Sequence, residues 1–150
     1  FSDSTRCVVA SDFVYSFNRI LDEKVASPGR WIFSEVDYDG SRPAFSAPND
    51  TTFIIRLRQP FSPFLSILGM PYCFVVPHEV VNHYGADFRQ HPIGTGPFKF
   101  QLWKENAKLV MRKNPDYFEK DADKIACYHL IANDTKKKSW NLSLGGLMRK

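Results

Sequence analysis

The chain has 150 residues, 43% of them hydrophobic and 24% charged, and its 20 basic and 16 acidic residues give a net charge of +4. These values exclude a disordered chain, a collagen and a disulfide-dense mini-protein. With no apolar run near the ~20 residues a bilayer requires, they also exclude a membrane-spanning helix.

The first periodic segment opens at Ser11-Asp12 and runs to about Asp22. Phe13, Phe17, Ile20 and Leu21 recur at helical spacing and form one apolar face, with Ser11 as the expected N-cap and Asp12 suited to the positive helix end. Residues 26–50 carry Pro28, Gly29, Gly40, Pro43 and Pro48 and read as a long excursion with little regular structure, around an aromatic island at Arg30-Trp31-Ile32-Phe33. After a turn at Asn49-Asp50, Thr52 to Arg58 alternates as a strand, with Phe53, Ile55 and Leu57 on one side. A short helix with Phe64, Leu65 and Leu68 on its apolar face follows, stopped by Gly69 and Pro71. Tyr72 to Val76 reads as extended, and Pro77 then starts a second short helix, 78–84, ended by Gly85. Beyond the loop His91 to Pro97 comes a β-hairpin. Phe98, Phe100 and Leu102 share a side of its first strand, Lys104-Glu105-Asn106 forms the turn, and Leu109 and Met111 share a side of the second strand. Asn114-Pro115-Asp116 breaks that strand, and Ile125 to Ile131 is a last apolar strand. Lys136 to Lys150 has no clear period, and Gly145-Gly146 interrupts any helix there.

The basic excess is local. Residues 133–150 hold five basic residues against one acidic, whereas residues 1–132 hold 15 of each. No basic stripe therefore covers the main body, which argues against a nucleic-acid partner. Cys7, Cys73 and Cys127 make neither a CxxC nor a metal spacing, and an odd count does not describe a disulfide framework. The chain starts at Phe1-Ser2-Asp3, without Met or a signal peptide, and reads as a fragment or processed piece.

Three motifs resemble chemistry and fail on spacing. His78-Glu79-Val80-Val81-Asn82 begins like a zinc-protease HExxH, but position i+4 is Asn82, and His83 lies about 140° around the helix from the first ligand's mate position. Gly94-Thr95-Gly96 begins like a phosphate-binding loop, but Pro97 removes a donor and a strand follows instead of a helix. Asp22-Glu23 and Asp121/Asp123 read as solvated loop carboxylates. No local signature of a catalytic triad is present. The aromatic residues Trp31, Phe33, Tyr72 and Phe74 sit outside periodic elements, where flat apolar faces either line a ligand cleft or pack loops onto the core.

Several strings together resemble one family. Ala10-Ser11-Asp12-Phe13-Val14-Tyr15-Ser16-Phe17-Asn18-Arg19 is similar to the "T-A-x-D-V-x-x-S-F-x-R" helix of the family 5 extracellular solute-binding proteins, the peptide- and nickel-binding components of ABC importers. Asn49 to Leu57 resembles the family's "D-x-x-T-v-x-x-x-L" strand, and Pro63-Phe64-Leu65 and Val75-Val76-Pro77 resemble the segments after it. His91 to Phe98, followed by Asn114-Pro115-Asp116-Tyr117-Phe118, resembles its "P-x-G-T-G-P-F … N-x-x-Y" hairpin. Order and spacing agree from about residue 8 to residue 131. Val9 departs from the family's Thr or Ser cap, and the resemblance fades after Ile131.

The resemblance implies an α+β fragment of the first lobe of a two-lobe, type II periplasmic-binding-protein fold, with short helices, antiparallel strands and a C-terminal hairpin. Its expected parts are a helix- and loop-rich subdomain at 1–97, a hairpin and strand of the main sheet at 98–132, and a basic tail at 133–150. It implies capture of an oligopeptide, dipeptide or other small solute in a cleft that closes between lobes, and delivery to an inner-membrane ABC permease. The expected location is periplasmic or at the bacterial cell surface, with a membrane link only through an anchor absent from this chain. No catalysis, cofactor, metal or nucleic acid is implied. Positions matching ligand-facing stretches of relatives are Arg30-Trp31 and Tyr72-Cys73. The alternatives are a small non-enzymatic interaction domain acting through its basic tail, and a metal hydrolase built on His78, Glu79, His83 and His91.

Overall fold

The structure, a computed structural model, describes residues 6–38, 42–119, 127–132 and 140–145. These form two units, Cys7–Asn82 and the described residues from His83 onward. The division thus falls between 82 and 83, not between 97 and 98 as the sequence suggests. The 3-10 turn Gly85–Gln90 belongs with the hairpin because Arg89 bonds Glu105 at 3.0 Å and lies over the Trp103 ring. Lys136-Lys137-Lys138, Arg149, Lys150, Asp121 and Asp123 lie outside the described residues.

In the unit Cys7–Asn82, α1 spans Ala10–Leu21. Its N-cap position is Val9, which has no side-chain acceptor, and Ser11 is exposed in the first turn. The cap comes from Asp12, whose buried carboxylate accepts the Val9 N–H at 2.9 Å. An acidic side chain there also complements the positive helix end. The predicted face is the one that packs: Phe17 and Ile20 are buried, and Phe13 and Leu21 lean on the same core. At its centre Phe17 meets Phe33, Phe45 and Phe53 with ring centroids 4.9, 5.5 and 5.4 Å apart. Such pairs are worth about 0.5–1.5 kcal/mol each beyond their buried area. The abundant phenylalanines of this unit thus serve first as core.

The excursion 26–50 is more regular than its prolines and glycines indicate. Pro28–Phe33 is a 3-10 turn whose Ile32 and Phe33 enter the core. Phe45–Asn49 is strand β1, paired antiparallel with β2, Thr52–Ile55. Pro48 is tolerated because the register shifts between Ser46 and Asn49, which leaves no ladder bond for its missing N–H to make. The Asn49 side chain closes the hairpin by accepting from the Thr51 N–H and hydroxyl, at 3.1 and 3.0 Å. The carbonyl of Asp50 in turn accepts the Ala10 N–H at 2.8 Å, so the hairpin turn also satisfies the start of α1. Helix α2, Phe64–Leu68, ends at Gly69, and α3 runs His78–Tyr84, stopped by Gly85 at φ +52. Between them Pro71–Cys73 is a 3-10 turn, where the sequence reads as extended.

From His83 onward the main element is a four-stranded antiparallel sheet, ordered β3 (Phe98–Lys104), β4 (Lys108–Lys113), β5 (Cys127–Ala132) and β6 (Trp140–Gly145). Strand β6 was not foreseen in the stretch after Lys136. Its register sets Leu142 opposite Leu130 and Leu144 opposite Tyr128. A register shift between Phe100 and Leu102 corrects the predicted face: Phe100 sits opposite Met111, whereas Leu102 sits opposite Val110. One extra residue in a strand reverses the side on which later residues fall. The loop before β3 is held by Asn114, which is buried. Its amide donates to the Gly96 carbonyl at 3.0 Å, and its backbone N–H donates to the Pro97 carbonyl at 2.7 Å.

Candidate solute-facing groove

The turn Pro28–Phe33 splits its residues between two environments. Ile32 and Phe33 are buried, while Arg30 and Trp31 project outward, and Trp31 is 54% exposed. The turn is fixed at its start by Ser27, whose hydroxyl accepts the Gly29 N–H at 3.2 Å. At Gly29 the Tyr72 ring lies so close that a Cβ would stand 2.7 Å from it. Only glycine admits that approach without displacing the ring.

Beside this turn lies an open groove of about 490 Å³. Its apolar lining is Leu21, Trp31 and Phe33, and its polar lining is Arg30, Ser34, Tyr38 and Arg58. The polar groups are all hydrogen-bond donors at neutral pH, and none of the seven lining residues is acidic. Burial pushes the Tyr38 phenol up to about 12, against the opposing pull of the Arg30 and Arg58 guanidiniums, so it stays protonated. Arg30 also stands 3.8 Å from Glu23, an exposed pair of little energetic weight.

Of the four residues singled out from sequence, Arg30 and Trp31 line this groove. Tyr72 instead packs its ring on Gly29, the residue before Arg30. Cys73 is buried in the hydrophobic core with its thiol 3.8 Å from the Ile67 carbonyl, and burial pushes its pKa up. It is therefore a packing residue, sequestered from any ligand at the surface. Sequence reasoning passed over Ser34, Tyr38 and Arg58. Arg58 was visible as the last residue on the polar side of the 52–58 alternation, while Tyr38 lies in the excursion that gave no periodic signal.

The residues of the metal reading are engaged separately. His78 meets the Tyr15 ring at 5.7 Å and stands 3.4 Å from Glu79, whereas His91 stacks on Tyr84 at 3.8 Å. Among the described residues, no three His, Cys, Asp or Glu side chains gather to hold an ion. Gly94-Thr95-Gly96 is a loop pinned by Asn114.

The sequence profile of the bacterial extracellular solute-binding proteins, family 5, matches residues 1–144. The chain belongs to this family. Among curated family 5 relatives, the periplasmic oligopeptide-binding protein OppA of Salmonella typhimurium is 31% identical over 131 residues, covering 79% of this chain and 24% of its own length. Protein XP55 of Streptomyces lividans is 34% identical over 125 residues, 81% of this chain and 21% of that protein. The crystal structure of the periplasmic oligopeptide-binding protein OppAIV from Borrelia burgdorferi superposes with a TM-score of 0.78 at 26% identity, covering 89% of this chain and 29% of that one. The α+β arrangement of short helices and antiparallel strands is thus part of the family 5 periplasmic-binding-protein fold. The chain spans about a fifth to a quarter of the curated relatives' length.

Proposed function

We propose that this chain is part of the solute-binding component of an ABC importer, taking oligopeptides or related small solutes outside the inner membrane and presenting them to a permease. The observation that carries the reading is the family match over residues 1–144, joined to the structural likeness to an oligopeptide-binding protein. In this reading the protein binds and releases its solute without chemistry. Arg30 and Trp31 supply part of the solute-facing wall, because both line the groove and neither is used in the core. Tyr72 contributes by holding the turn that presents them, through its contact with Gly29.

The test is a graft. This chain replaces the segment it matches in Salmonella typhimurium OppA, and a mixed tripeptide-to-pentapeptide pool is titrated calorimetrically. Retained capture, weakened about tenfold or more by Trp31→Ala, supports the reading, since exposed aromatic anchors dominate such contacts. A chimera that unfolds cooperatively yet captures no peptide overturns it.

A further inference from the structure

Where two cations face an apolar slot with no acid to neutralise them, the slot favours an organic anion. The groove beside Pro28–Phe33 has this composition. We propose that it takes a carboxylate attached to an apolar or aromatic group, with Arg30 and Arg58 on the carboxylate and Trp31 and Phe33 on the apolar part. The proposal rests on the reading that this groove faces solute, and it adds the chemistry of the group that enters.

Three features on the molecule support it. The first is charge: the lining contains two guanidiniums and no carboxylate. Arg58 has no side-chain ion pair among the described residues, and its backbone N–H, bonded to the Glu35 carbonyl at 2.9 Å, anchors the residue beside the groove. The planar guanidinium fork matches a carboxylate in geometry as well as charge. The second is the set of neutral groups. The Tyr38 phenol stays protonated and Ser34 carries a hydroxyl, so both add donors to the acceptor-rich head of the ligand. A cationic ligand would find no acceptor of matching charge among these residues. The third is size and surface. About 490 Å³ lies within the ~300–1,000 Å³ range of small-molecule sites, and is more than an inorganic anion fills. Trp31, Leu21 and Phe33 give the remaining space an apolar wall.

The experiment follows the Trp31 indole N–H resonance of the 150-residue chain, assigned by its loss in Trp31→Phe. The chain is titrated with N-acetylphenylalanine, its neutral amide and phenyl phosphate. The acid is expected to move the resonance with a dissociation constant on the order of millimolar, as one charged contact on an open surface allows. The amide is expected to bind about tenfold more weakly, and Arg58→Gln to weaken the acid by about the same factor. Retained cooperative thermal unfolding identifies the folded variants, and Arg58→Lys, which keeps the charge and loses the fork, should fall between the two. Equal shifts by acid and amide would overturn the proposal, as would an unaltered acid titration in Arg58→Gln. Phenyl phosphate binding more than tenfold tighter than the acid would overturn the choice of carboxylate. Acid binding by the chain combined with a grafted protein that captures no peptide would leave this inference standing and remove the importer reading.

Discussion

Tyr38 joins the groove to the core and carries the one phenol whose protonation is markedly displaced. Its ring meets Phe45 at 6.2 Å, and burial raises its pKa to about 12, with Arg30 and Arg58 opposing. An unfolded tyrosine titrates near about 10. The folded chain therefore holds this proton more tightly than the unfolded chain. The resulting stabilisation is complete below about pH 10 and is lost as pH rises toward about 12. Denaturant midpoints measured across that window should fall with pH, and Tyr38→Phe, which keeps the ring contact, should fall less steeply. Identical slopes in the two proteins would show that the phenol is not shielded.

Between elements, the residues that made the family strings recognisable turn out to be those with a specific bond to make. Ser16, on the buried side of α1, exchanges two bonds with Val76: its hydroxyl accepts the Val76 N–H at 2.9 Å and donates to the Val76 carbonyl at 3.3 Å. One helical serine thereby fixes the segment that leads into α3. Ser16→Ala leaves a part-buried backbone N–H without that acceptor, and should cost about 1–3 kcal/mol in urea unfolding. A loss below the measurement error would mean that water replaces the hydroxyl. Asp12 and Asn114 act in the same way, at the start of α1 and under the loop before β3. Such polar roles survive in a sequence as short strings because no other side chain makes the same bonds. The features that stayed hidden depend on distant partners. Strand β1 contains Pro48 and lies in a glycine- and proline-rich stretch, so only its pairing with β2 makes it a strand. The shift that places Leu102 opposite Val110 leaves no mark in a regular alternation, and β6 is defined by its register on β5. The groove was half legible: Arg30 and Trp31 stand together in one turn, whereas Tyr38 and Arg58 arrive from elsewhere in the chain.

Across the whole molecule, charge and length decide what this chain does by itself. Residues 1–132 carry equal numbers of acids and bases, so long-range attraction for an anionic solute is weak and recognition falls to local groups such as Arg30 and Arg58. The groove is open, and tight small-molecule sites bury about 70–90% of their ligand. An open wall satisfies one side of a peptide and leaves the other in water, which forfeits much of the apolar burial that gives micromolar affinity. Calorimetric titration of this 150-residue chain with tripeptides to pentapeptides should therefore give no dissociation constant tighter than about 0.1 mM, even though single carboxylate probes move the Trp31 resonance. Raising the ionic strength should weaken those probes and leave peptide titrations flat. Micromolar peptide binding by this chain would mean that the groove, or another surface of these residues, encloses a peptide unaided, and the division of the solute between facing walls would have to be abandoned.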